Sequence, residues 1–152
     1  MDEFAARKAF ETALDAQRPG FETFFLARFF GLSFTYTDDT CRVEFPVAEF
    51  MFNPQGSLHG GVAAFVLDCA MGHLLKHATG VPGTTLEMKV QYLSPLRRLR
   101  AVCESRFLRK GQRIAFLEAR IWDDEGTLAA VATSTWRTSS PEPQSAGRTS
   151  GR

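Results

Sequence analysis

A chain of 152 residues with 44% hydrophobic and 23% charged side chains has the makings of one globular domain, which excludes disordered, collagen-like and multi-domain proteins. Lys and Arg number 18 against 17 Asp and Glu, a net charge of +1 that gives no global field to hold nucleic acid or an anionic membrane. Three cysteines without CxxC spacing (Cys41, Cys69, Cys103), and no apolar run after a basic N-terminus, point to a reducing cytoplasm rather than a secreted disulfide framework.

Residues 2–18 read as an amphipathic helix, with Phe4, Ala5, Ala9, Ala13 and Ala16 at helical spacing and Pro19-Gly20 as its stop. A short Phe-rich segment, 21–30, follows. With 14 phenylalanines against two tyrosines, core and subunit packing is the expected use of these rings. Residues 32–37 and 41–47 then form a hairpin about Asp38-Asp39, with Val43, Phe45 and Val47 alternating inward.

A long helix is expected over 58–79, with Ser57 as its cap. Residues 84–93 alternate: Leu86, Met88, Val90 and Tyr92 face one way and Thr85, Glu87, Lys89 and Gln91 the other. Strands at 99–108, 113–122 and 127–136 complete a meander, turning at Lys110-Gly111 and at Asp123 to Gly126. From residue 138 to 152, Ser, Pro, Gly, Gln and Arg dominate, so a disordered tail is expected after a single domain over 1–137 with a helical extension at 1–30. Two strands, one long helix and four strands do not alternate in βαβ fashion, so the fold class is α+β, a six-stranded antiparallel sheet wrapped on the central helix.

Chemistry concentrates on that helix. Between Glu49 and Lys76 lie 26 residues of which Asp68 alone carries a formal charge, and its neighbours are apolar all round the helix. Also present in this stretch are Asn, Pro, Gln and His, which exclude a membrane span. A carboxylate in such surroundings is costly unless bonded or protonated, which makes it a candidate for acid/base or nucleophilic work. Gly61, Ala64, Asp68 and Gly72 share one shallow face, suited to the close approach of another backbone or a ligand.

Upstream, the loop Asn53-Pro54-Gln55-Gly56 leads to a helix N-terminus containing His59, Gly60 and Gly61, whose orphan N–H groups suit a polarised carbonyl. About 12 Å of helical rise separates that terminus from Asp68, so both serve one centre only across two subunits or along a bent substrate. His73 and His77 have the spacing of a metal pair, but no third ligand accompanies them, and no metal is expected. GxSxG, GxGxxG and Walker motifs are absent. Between 97 and 113, Arg97, Arg98, Arg100, Arg106, Arg109, Lys110 and Arg113 stand against Glu104 alone, a patch fit for phosphates.

The string from Asn53 through His59-Gly60-Gly61 to Asp68, continued by Gly83 to Pro95 and Arg109 to Gln112, resembles the hotdog-fold acyl-CoA thioesterases of the phenylacetic-acid-degradation (PaaI-like) type over roughly residues 25–137. The resemblance implies Asp68 as nucleophile or general base, Gly60 N–H and Asn53 polarising the thioester carbonyl, His59 positioning substrate or loop, and Thr85 orienting the water. It places Arg97, Arg98, Arg109 and Lys110 at the coenzyme A phosphates, and Gly61 and Phe65 beside the substrate, with Phe50, Phe52 and Met71 as further pocket wall. It also implies homodimers pairing into tetramers, with the Asn/Gly end and the Asp from opposite subunits. No cofactor is implied, since coenzyme A belongs to the substrate. A non-catalytic acyl-CoA binding module on the same fold is the alternative, disfavoured by the retained Asp68.

Overall fold

The computed structural model describes residues 1–97 and 99–138. Arg98 and the expected 138–152 tail from residue 139 onward lie outside the described residues, while Thr138 donates its N–H to the Arg113 carbonyl at 2.9 Å. Ten elements follow in order: α1 (Glu3–Ala16), α2 (Phe25–Phe29), β1 (Ser33–Tyr36), β2 (Thr40–Pro46), a 3-10 turn (Glu49–Met51), α3 (Gly60–Thr79), β3 (Thr84–Tyr92), β4 (Arg100–Lys110), β5 (Ile114–Asp123) and β6 (Leu128–Arg137). The six strands form one antiparallel sheet in the order β1-β2-β4-β5-β6-β3, with α3 packed against it, as the α+β reading expected.

α3 is the core of the molecule. Val66, Leu67, Ala70, Met71, Leu74 and Leu75 are all fully buried, and they meet the inward side chains of β2, β4 and β5, among them Val43, Cys103, Leu117 and Ile121. Burial of that apolar surface, at about 25 cal/mol per Å², is the main term favouring this arrangement. Ser105, buried on β4, donates its hydroxyl to the Ala70 carbonyl at 2.8 Å, tying sheet to helix. The helix stops where Gly80 takes φ 77°, a left-handed cap whose N–H returns to the Lys76 carbonyl at 2.8 Å.

β3 departs from simple alternation. Thr85 pairs with Trp136 and Glu87 with Thr135, so Leu86 is an extra residue, a bulge in the ladder. Inserting one residue reverses parity: Thr85 joins Met88 and Val90 on the inward face, while Leu86 is 54% exposed. Tyr92 is 57% exposed as well, so the expected grouping of Leu86, Met88, Val90 and Tyr92 on one buried face is corrected at both ends.

The phenylalanines link the N-terminal helices to α3. Phe10 meets Phe25 edge-on at 5.5 Å, Phe29 lies 5.2 Å from Phe50 and from Phe30, and Phe30 and Phe24 both reach Phe65, at 5.4 and 6.2 Å. α1 begins on Asp2, whose carboxylate accepts the Ala5 N–H at 3.0 Å, a standard N-cap.

Gly72 marks the tightest contact of helix on sheet: a Cβ there would stand 2.9 Å from Cη2 of Trp136, a rigid ring that is itself buried. Replacement of Gly72 by alanine is expected to cost roughly 1–3 kcal/mol of overpacking, offset in part by about 1 kcal/mol of helix propensity. Denaturant unfolding should show a net loss of stability in Gly72→Ala that is relieved in a Gly72→Ala/Trp136→Phe double variant; a more stable single variant would contradict the contact.

Candidate active site

The approach to α3 is built by the backbone. Phe52 and Leu58 form an isolated antiparallel bridge, and inside it the Asn53 side chain organises the loop: its Oδ1 accepts the Gln55 and Ser57 N–H groups at 2.9 and 3.3 Å, and its Nδ2 donates to Ser57 Oγ at 3.2 Å. Gly56, at φ 74°, closes the turn. Asn53 is therefore a positioning residue for the loop, which directs the chain into the helix.

The helix cap is His59, where Ser57 was expected: Nδ1 of the imidazole accepts the Gly61 N–H at 2.9 Å. That bond uses the Gly61 donor, and the His59 carbonyl takes the Val62 and Ala63 N–H groups at 2.9 and 3.2 Å. Among the described residues no acceptor meets the Gly60 N–H, so it is the free donor of this turn, at the positive end of the helix. The Gly60 carbonyl accepts the Tyr92 hydroxyl at 2.8 Å, and a Cβ on Gly60 would stand 3.1 Å from that ring. A cavity of about 360 Å³ opens here, bordered by Asn53, Gly60, Ala63, Tyr92 and Pro95.

Asp68, two turns further on, borders a different cavity of about 540 Å³ with Thr85, Cys69, His73, Phe21 and Trp136 among its walls. Thr85 donates its hydroxyl to Asp68 Oδ1 at 2.9 Å, a contact made possible by the Leu86 bulge. Among the described residues no cation pairs with this carboxylate. Burial pushes the Asp68 pKa above its ordinary value, while the Thr85 hydroxyl pulls the other way. The adjacent Cys69 thiol is pushed up to about 12, chiefly by burial and then by Asp68, which leaves it protonated and unsuited to nucleophilic attack.

His73 is buried, stacked on Phe34 at 3.8 Å, with Nδ1 3.0 Å from the Tyr36 hydroxyl. Burial lowers its pKa to about 4, so it is a neutral wall of the Asp68 cavity. His77 stacks on Tyr36 at 4.7 Å, and no cluster of metal-ligating side chains occurs among the described residues.

The other sequence-derived positions divide. Gly61 is at the helix start, with its N–H engaged by His59. Phe65 packs on Phe24 and Phe30, a layer behind the cavity, and Met71 is fully buried in the core. Arg97 is exposed in the loop after Leu96, which borders the Gly60 cavity, and Arg98 lies outside the described residues. Arg109 is exposed, and Lys110 donates to the Ala78 carbonyl at 2.8 Å, at the C-terminal end of α3 and about 15 Å along the axis from Asp68. Arg106 pairs with Glu118 at 2.6 Å, so the basic excess of this stretch is partly neutralised across the sheet. Phe21, Phe24 and Trp136 all border the cavity; the first two lie in the Phe-rich segment 21–30, whose rings were expected to pack, and nothing local marked Trp136.

A wrapped helix carrying a half-buried carboxylate defines a hotdog-type domain, and the comparisons agree. Residues 55–130 match the family model of the thioesterase superfamily, and the chain belongs to that family. It is 32% identical over 97 residues to the medium/long-chain acyl-CoA thioesterase YigI of Escherichia coli, a match spanning 54% of this chain and 63% of that protein. Curated relatives are matched over 64%, 68% and 63% of their own lengths, so the chain spans less than two thirds of some of them. The solved structure of the BH2602 protein from Bacillus halodurans with CoA shares the fold at TM-score 0.78 and 21% identity, covering 90% of this chain and 89% of that one. A thioesterase HI1161 from Haemophilus influenzae superposes at TM-score 0.67 with 21% identity, over 71% of this chain and 78% of its own.

A carboxyl group whose folded pKa is raised binds its proton more tightly in the native state, so its stabilising contribution is complete below the unfolded pKa and is lost as pH rises through the folded one. At neutral pH the ionised Asp68 is therefore a cost to folding. Asp68→Asn, which keeps an oxygen for the Thr85 hydroxyl, is expected to unfold at an equal or higher temperature than the wild type at pH 7, with the difference vanishing below about pH 3.9. Thermal melts across that range check it, and a lower midpoint at pH 7 would show the charge to be stabilising.

Proposed function

We propose that the protein hydrolyses an acyl-CoA thioester to the free acid and coenzyme A. The observation that carries this reading is the Asp68 carboxylate, anchored through Oδ1 by Thr85 in an otherwise largely apolar cavity, on a chain of the thioesterase superfamily. Relatives named as acyl-CoA thioesterases and a fold neighbour solved with CoA support the substrate class.

In this reading Oδ2 of Asp68 takes a proton from water while the water oxygen bonds to the thioester carbonyl carbon. Negative charge developing on the carbonyl oxygen is met by the free Gly60 N–H, held in place by the His59 cap and the Asn53 loop. The carbon–sulfur bond then breaks, the thiolate of coenzyme A leaves and is protonated, and the acid remains. A carboxylate of raised pKa is the stronger base for this step. Exposed Arg97 and Arg109, with Arg98 and Lys110, supply positive charge for the coenzyme A phosphates. Asp68 and Gly60 act together across a homodimer or a dimer of dimers, and the protein works in the cytoplasm without metal or cofactor. Among the described residues no helix is long and apolar enough to cross a membrane.

Thiol release from a panel of acyl-CoAs tests the assignment: Asp68→Asn should lose at least about a hundredfold in kcat, as removal of a central base does. Unchanged turnover in that variant would overturn the mechanism, and wild-type binding without hydrolysis would favour the acyl-CoA binding module. Single turnover in 18O-water tests for a nucleophile: label in the Asp68 carboxylate requires a covalent anhydride opened at the Asp68 carbon, whereas a general base leaves the carboxylate unlabelled. Activity belongs to the ionised form, so it is lost as pH falls through a pKa above the ordinary carboxylate value of about 3.9. Thr85→Val removes the one influence that lowers this pKa, and its acid limb should move to higher pH, with Thr85→Ser restoring it.

A further inference from the structure

We propose that the N-terminal segment 18–24 is the specificity-determining wall of the acyl pocket, with Phe21 and Phe24 limiting the size of the acyl group hydrolysed at Asp68. This inference rests on the thioesterase reading. The segment lies outside the region matched by the family model, residues 55–130, yet Gly20, Phe21 and Phe24 all border the Asp68 cavity.

The segment is folded as a closed loop of its own. Arg18 N–H reaches the Thr23 carbonyl at 2.8 Å, and the Thr23 hydroxyl returns to the Arg18 carbonyl at 3.1 Å. Three contacts then seat it against the domain. Glu22 accepts the Tyr36 hydroxyl at 2.7 Å, Phe21 lies 5.1 Å from the His73 ring with Lys76 Nζ 4.8 Å above it, and Phe24 meets Phe65 edge-on at 6.2 Å. A segment seated through Phe21, Glu22 and Phe24 together is a fixed wall, and its position decides how far an apolar chain can extend from the thioester carbon.

Magnitudes favour a size filter. A closed apolar cavity of about 150 Å³ holds a benzene molecule. The Asp68 cavity, at about 540 Å³, has room for a larger group lying against the Phe21 and Phe24 rings. Among the described residues none of the side chains bordering it is aliphatic; its large apolar walls are aromatic rings, so removing one ring opens a large fraction of the space in a single step. A single methylene in an apolar pocket changes selectivity by about tenfold or more, and a phenyl ring displaces several.

The test is a graded series of straight-chain acyl-CoAs, from butanoyl to hexadecanoyl, on wild type, Phe21→Ala, Phe24→Ala and Phe21→Trp. The alanine variants should raise the ratio of kcat/KM for long over short chains by at least about tenfold, mainly through KM of the long substrates, and Phe21→Trp should lower it. Should Phe21→Ala fail to fold, Phe21→Leu carries the same expectation with a smaller shift. An unchanged chain-length profile in active, folded variants would overturn this inference alone. A wild type inert on every thioester would overturn the hydrolase reading and this inference with it.

Discussion

The structure depends on one packing constraint: α3 is apolar around most of its circumference and so has to be covered on most sides. A sheet curved around it and the aromatic N-terminal segment do this together, leaving Val66, Leu67, Met71, Leu74 and Leu75 without solvent contact. Close approach follows from the same constraint. Gly72 is bare because the Trp136 ring stands only 2.9 Å from where its Cβ would be, and Ser105 reaches the Ala70 carbonyl because β4 runs directly against the helix. A helix in this setting has little freedom to move, so groups mounted on it hold fixed positions.

That rigidity gives Asp68 its chemistry. Desolvation disfavours its charged form, and among the described residues no cation pairs with it to compensate. The compensation that exists comes from the sheet, through one hydroxyl at 2.9 Å. Thr85 reaches the carboxylate because Leu86 is an extra residue in β3; with regular pairing, Thr85 would point away from the helix alongside Glu87. A backbone irregularity thus decides the environment of the one ionisable group in the cavity whose charge is useful. Cys69 and His73, the other two titratable neighbours there, are both held neutral by burial.

Much of this was legible from residues alone, because it depends on period and composition. The helix over 58–79 and all six strands were visible as changes between helical and alternating spacing, and Asp68 stood out as a single charge among 26 residues. What escaped notice depends on tertiary placement. The bulge at Leu86 has no glycine to announce it, so strict alternation assigned Thr85 to the wrong face. His59 caps the helix in place of Ser57 because the 53–57 loop, closed by Asn53, sets the helix start two residues later. The hydrogen bond from Lys110 to the Ala78 carbonyl at the helix C-terminus likewise depends on how β4 and α3 meet. Phe21 and Phe24 stood in a Phe-rich segment read as packing; their place in a cavity wall exists only once 18–24 folds back over α3.

The remaining geometric fact is that the free Gly60 N–H and the Asp68 carboxylate are mounted on one helix and open into two cavities. Eight residues of α-helix hold them about 12 Å apart. Reacting atoms in a productive complex lie about 3–3.5 Å apart, so a single helix cannot place both groups on one carbonyl. If both act on the same thioester, the donor and the base come from different copies of α3. A two-fold axis between two such helices would set each Gly60 near the other copy's Asp68, and a symmetric pair then contains two complete sites where an isolated chain contains two halves. On the proposed mechanism, catalysis at Asp68 then depends on association as well as on the carboxylate itself.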